Sequence, residues 1–75
     1  MSELAVMDSQ LGDNKIEWNA DRPAEVAAAR DMFYAMKEKR YVAYTLDESG
    51  HRGELIREFD PDAERIIMQP QRVGG

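Results

Sequence analysis

Few residues in this sequence are of types that could do chemistry, and their spacing narrows the options further. The single histidine, His51, stands between Gly50 and Arg52, and the chain has no cysteine. Transition-metal sites are built from several nitrogen and sulfur ligands, so one imidazole without a thiolate or a second histidine does not make one. General acid–base catalysis asks for a partner group and a pocket as well, so His51 reads as a solvated loop residue. Asp60 and Asp62 flank Pro61, but a calcium loop needs ligands at alternating positions, a central glycine and a closing glutamate about twelve residues from the first. That spacing is absent, and Asp60 reads as the cap of a short turn. Gly50 and Gly53 enclose only His51 and Arg52, without the lysine and following helix of a phosphate loop. Trp18 and the tyrosines could stack on bases, yet so small a protein needs its aromatics for a core.

The remaining feature is the chain end. Gln69-Pro70-Gln71-Arg72-Val73-Gly74-Gly75 carries a proline that cannot donate to a ladder and two glycines that supply neither packing nor stiffness. The expectation is a flexible tail over 70–75 attached to one small domain over 1–69. A Gly74-Gly75 end has no side chains to clash, so it can thread a narrow channel in another protein and present a carboxylate there.

Composition sets the frame for these residues. Seventy-five residues, 33% charged and 43% hydrophobic, are enough for one small core. A chain of this size buries only ~60% of the surface that its unfolded form exposes, so an enclosed catalytic cleft would compete with the core for volume. The reading is of a protein that is not an enzyme and needs no cofactor or metal. Ten Lys and Arg against fifteen Asp and Glu give a net charge of −5, the wrong sign for a phosphate-backbone binder, so no nucleic-acid partner is expected. No apolar run approaches the ~20 residues that span a bilayer, and no signal-peptide pattern opens the chain. A cytoplasmic protein with a protein partner and no membrane association is the expectation.

The charge is unevenly placed. Residues 1–21 hold five acids and one base, 22–40 three acids and five bases, and 41–75 seven acids and four bases. In the middle block Lys37, Lys39 and Arg40 crowd at one end, where the carbonyl end of a helix favours cations.

That helix is expected over about 22–40. Pro23 belongs to a first turn, where its missing N–H has no intrahelical partner, with either Asp21 or Arg22 as the N-cap. Val26, Ala29, Phe33 and Met36, with Met32 on the flank, share one face. Asp31, Glu38 and Tyr34 lie opposite. Lys15-Ile16-Glu17-Trp18 alternates as a half-buried strand, and the Leu4–Met7 run either pairs with it or frays. Tyr41–Leu46 is the clearest strand, with both faces partly apolar, and it forms a hairpin with 54–59. Arg65–Met68 makes a final strand after a turn at 60–64. The fold class is α+β, one helix on a mostly antiparallel sheet. The expected core is Val26, Phe33, Met36, Val42, Tyr44, Leu55, Phe59, Ile66 and Met68, with Trp18 capping one end.

The order strand, strand, helix, strand, strand, strand and the closing Gly74-Gly75 together resemble the ubiquitin-like β-grasp modifiers. The residues ahead of the glycines, Gln71-Arg72-Val73, differ from the Leu-Arg-Leu-Arg run of ubiquitin. The resemblance implies a bacterial or phage modifier or carrier whose Gly75 carboxylate is adenylated by an activating enzyme and joined to a lysine or thiol carrier. It makes Gly74 and Gly75 the conjugation terminus, with Arg72 and Val73 as contacts for the activating enzyme. Two other readings stand beside it. One is a small acidic adaptor or inhibitor that binds a basic partner through Tyr34 and the loop at Asp47 and Glu48. The other is a structural subunit of a larger assembly, viral for instance, whose acidic N-terminal arm orders on a neighbour.

Overall fold

The computed structural model describes residues 1–8, 12–46, 49 and 51–71. Five strands and one helix follow in the order β1 (Ser2–Asp8), β2 (Gly12–Trp18), α1 (Pro23–Glu38), β3 (Tyr41–Leu46), β4 (Arg52–Ile56) and β5 (Arg65–Pro70). The strands form one mixed sheet in the spatial order β2-β1-β5-β3-β4. The β1–β5 pairing is parallel and the other three are antiparallel. The mostly antiparallel α+β fold expected from the sequence is present, and it is β-grasp-like.

The N-terminal run is a full strand. Leu4 pairs with Ile16 on one side and with Ile66 on the other, so β1 is interior to the sheet and both its edges are hydrogen-bonded. Fraying would expose Leu4 and Val6, which are 0% and 2% accessible. Their burial holds the segment down.

Helix α1 starts with Arg22 as the N-cap and Pro23 in the first turn. Arg22 holds the cap position because its carbonyl accepts from the Glu25 and Val26 N–H groups at 3.1 and 3.0 Å, while the Asp21 N–H, one residue earlier, donates to Asn19 Oδ1 at 2.9 Å in the turn before the helix. Glu25 then reaches back and accepts from the Asn19 N–H at 2.9 Å. Along the helix Ala29 and Phe33 are fully buried, while Val26, Met32 and Met36 pack around them. This is the face expected from the 3.6-residue period.

Four residues of the expected core need correction. Val42 and Tyr44 are half-buried and Leu55 is 52% exposed, because β3 turns its other parity inward and Ala43 faces the core. Trp18 is no end cap. Its ring is fully buried, lies 5.2 Å from Phe59 between centroids, and its indole N–H donates to the Pro61 carbonyl at 3.0 Å. That bond satisfies the one polar group of a buried indole. Strand β4 begins at Arg52 and stops at Ile56, earlier at both ends than the pattern suggests. Phe59 leaves the sheet to meet Trp18 and Phe33, and its N–H donates to the Tyr34 hydroxyl at 3.3 Å. Gly53 belongs to the strand at a register shift against β3. A Cβ there would lie 3.0 Å from Thr45 Oγ1 and 3.2 Å from the Thr45 carbonyl oxygen. The Asp60 turn is as expected, with Asp60 Oδ1 accepting from the Asp62 N–H at 2.9 Å.

Strand β5 also runs further than expected, to Pro70, which sits opposite Tyr41. A proline is tolerated in the last strand position because no further ladder donor is asked of it.

Candidate functional site

The final described residues meet the end of the helix. After Glu38 the chain turns through Lys39, whose N–H donates to the Met36 carbonyl at 3.0 Å, and Arg40, whose N–H donates to the Lys37 carbonyl at 3.0 Å. Arg40 has φ 67°, the left-handed conformation that closes a helix and in which glycine is normally favoured. A side chain in that conformation costs about 1 kcal/mol relative to glycine. The Arg40 carbonyl in turn accepts from the Gln71 N–H at 3.0 Å. Where β5 ends, the backbone is therefore tied directly to the turn between α1 and β3. Gln71 is thereby held beside Arg40.

Tyr34 lies further back on the helix and is 41% exposed. Its ring stands edge-on to Phe33 at 5.1 Å, its hydroxyl accepts from Phe59, and the Lys37 ammonium lies 6.0 Å from its centroid. The same ammonium donates to the Arg57 carbonyl. Tyr34 and Lys37 therefore fasten the segment after β4 to the helix, and the remaining tyrosine surface is open. An open depression lined by Ile56, Arg57, Glu58, Phe59 and Asp60 lies along this segment.

Of the residues singled out for the tail, Arg72, Val73, Gly74 and Gly75 lie outside the described residues, as do Asp47 and Glu48. Of the tail expected over 70–75, Pro70 and Gln71 are described, and both are held. Neither anchoring contact is visible in the sequence. The Gln71–Arg40 bond joins residues 31 apart through their backbones, and nothing in a side chain announces it. The one available signal was the absence of glycine at the end of a helix rich in good helix formers, which marks an unusual C-terminal turn.

The second exposed feature is the face of the sheet turned away from α1. The register aligns Lys15, Ala5, Ile67, Tyr44 and Leu55 across all five strands. Ile67 and Tyr44 are half-buried beside the exposed Leu55. Next to this row Glu3 pairs with Lys15 at 3.5 Å and with Arg65 at 3.2 Å, and Lys15 also reaches Glu17 at 3.8 Å. An apolar band bordered by an ion network is thus open to contact.

Among the described residues no group of three His, Asp or Glu side chains gathers in a way that could hold a metal ion, and no helix is long and apolar enough to cross a membrane. His51 is exposed. No family model matches the chain, and comparison with curated proteins and with solved structures gives no significant match.

Proposed function

We propose that this chain is a small ubiquitin-like protein modifier or carrier of bacterial or phage origin, acting in the cytoplasm and activated at Gly75. In this reading it is a substrate of other enzymes and catalyses nothing itself. The observation that carries the reading is the β-grasp-like sheet, in which the last strand lies at the centre and is tied down at Gln71, with Gly74 and Gly75 three and four residues further on in the sequence. A central strand gives the exit a rigid base, and two glycines give the end the slender form that a partner's channel demands.

The chemistry is conventional acyl activation. A Gly75 carboxylate oxygen attacks the α-phosphate of ATP, pyrophosphate leaves, and an acyl adenylate forms. A lysine amine or a thiolate then attacks the acyl carbon, AMP departs, and the amine loses its proton as the amide forms. Both steps belong to a partner of the adenylating class.

A second reading is favoured by the apolar row of Ile67, Tyr44 and Leu55, which fits an acidic adaptor or inhibitor that docks through its open sheet face. The two readings part at the tail. Tagged wild type and a chain lacking Gly74 and Gly75 are recovered from the native host and compared by intact mass and blotting. Diglycine-dependent species of higher mass support the modifier, and identical unconjugated profiles for the two support the adaptor.

A further inference from the structure

We propose that the free edge of β2 pairs antiparallel with β2 of a second copy of this chain, in a register centred on Ile16, so that the two sheets join across a two-fold axis. The pairing makes no use of the chain end and is independent of the modifier reading.

The strand order leaves β2 and β4 at the two edges of the sheet. These edges differ. Strand β4 has five residues, and its pairing with β3 shifts register between Tyr44 and Leu46. An irregularity of that kind blunts an edge against further pairing. Strand β2 has seven residues, keeps one register with β1 from Gly12 to Trp18, and contains no proline. A regular edge offers a row of backbone donors and acceptors to another strand.

Which of those groups point outward follows from the other side of β1. The Glu3 N–H donates to the Glu64 carbonyl at 2.9 Å, one residue before β5. In a strand the N–H and C=O of one residue point the same way, and successive residues alternate. Glu3 therefore faces β5, and Leu4 faces β2, where it pairs with Ile16. The backbone groups of Ile16 are directed at β1, so those of Lys15 and Glu17 are directed at the free edge.

The side chains select the register. About a two-fold axis at Ile16, Lys15 of one copy lies opposite Glu17 of the other, and the same pair recurs beyond the axis. Both pairs fall at hydrogen-bonded positions, where opposed residues exchange two bonds, and both set opposite charges side by side. Ile16, half-buried against the core, meets its own copy at the closer, non-hydrogen-bonded position. A register centred on Lys15 would oppose lysine to lysine. One centred on Asn14 would set Ile16 against Gly12 and carry Glu17 past the start of the other strand. A lysine in an edge strand ordinarily deters pairing, but here the glutamate two residues on supplies its cross-strand partner. Within one copy the Lys15 and Glu17 side chains are 55% and 50% exposed and 3.8 Å apart, so both charges are open to a second strand.

The test uses the purified full chain. Sedimentation equilibrium should show a reversible monomer–dimer equilibrium. Glu17→Lys opposes lysine to lysine twice and should raise the dissociation constant by ~tenfold, and the swap Lys15→Glu/Glu17→Lys should return it to within ~threefold of wild type. Glu17→Pro removes an outward N–H and no bond to β1, so it should abolish the dimer while the far-UV spectrum and the melting transition persist. The chain has no cysteine, so Ile16→Cys reports the register without interference. Opposed Cα atoms at that position would lie ~4.5 Å apart, within the ~4.4 to 6.8 Å that a disulfide spans. Under mild oxidation Ile16→Cys should cross-link readily and Asn14→Cys poorly. A wild type that sediments as a monomer up to about 1 mM overturns the proposal. So does a dimer that survives Glu17→Pro, or one that Leu55→Ser dissociates, which would place the contact on the open sheet face. Faster cross-linking of Asn14→Cys than of Ile16→Cys would overturn the register and with it the proposal.

Discussion

Beneath α1 the sheet buries Leu4, Val6, Trp18, Ala43, Ile66 and Met68 to 2% accessibility or less, whereas on its other face Tyr44 and Ile67 are half-buried and Leu55 is 52% exposed. The same strands build both surfaces, often through adjacent residues. Ala43 and Tyr44 are neighbours in β3, and Ile66 and Ile67 are neighbours in β5. The difference comes from what lies above them. The helix covers one face with Ala29 and Phe33, while no described element packs on the other, where Glu3, Lys15, Glu17 and Arg65 make a shared ion network beside the apolar row. Hydrophobicity alone does not assign a residue to the core. The covering element decides, and apolar residues on an uncovered face are left for a partner.

The comparison can be broken most easily at Phe33, which touches the rings of Tyr34 and Phe59 from the centre of the covered face. Phe33→Ala should cost about 3 to 5 kcal/mol by urea denaturation, enough to unfold a domain of this size. An unchanged transition would show that the helix does not organise the core. Ala43→Leu should cost about 1 to 3 kcal/mol, because added methylenes have no space under the helix. The parallel test at Val42, replaced by Leu on the open side, should change little. Trp18→Phe should also cost about 1 to 3 kcal/mol, since it removes the donor to the Pro61 carbonyl and part of the ring surface packed on Phe59. A cost well below this would mean that the β4–β5 connection holds without the indole. Smallest of all, Leu55→Ser should shift stability by less than about 0.5 kcal/mol in thermal melts. A loss above about 1 kcal/mol there would place Leu55 in the core after all and collapse the distinction between the faces.

The sequence disclosed the helix, its buried stripe and the succession of elements because these rest on periodicities of 3.6 and 2 and on local capping. The inward parity of β3 was hidden because Tyr41-Val42-Ala43-Tyr44-Thr45-Leu46 is apolar on both sides, and the smallest of those residues turned inward. Pairing of β1 with β5 brings together residues more than sixty positions apart, such as Leu4 and Ile66, and four apolar residues near the start of the chain cannot specify that partner. Trp18 was misplaced for a related reason. Its burial depends on Pro61 and Phe59, which reach it only after the chain has left β4. For the candidate site, Gly74 and Gly75 were legible as types, and Tyr34 as an exposed helix residue. The left-handed Arg40 and its tie to Gln71 were not, because both are backbone facts of tertiary origin.

The central proposal is that the Gly75 carboxylate is activated by a partner enzyme, and mass spectrometry of the native host's proteins tests it most directly. Trypsin cleaves after Arg72, so a conjugated partner should retain the remnant Val73-Gly74-Gly75 on a lysine side chain, and a sulfur carrier should show Gly75 as a thiocarboxylate. Detection of either form, absent from cells that lack the chain, is the predicted result. Recovery of Gly75 only as a free, unmodified carboxylate, or of peptides that continue past it uncut, would contradict the account.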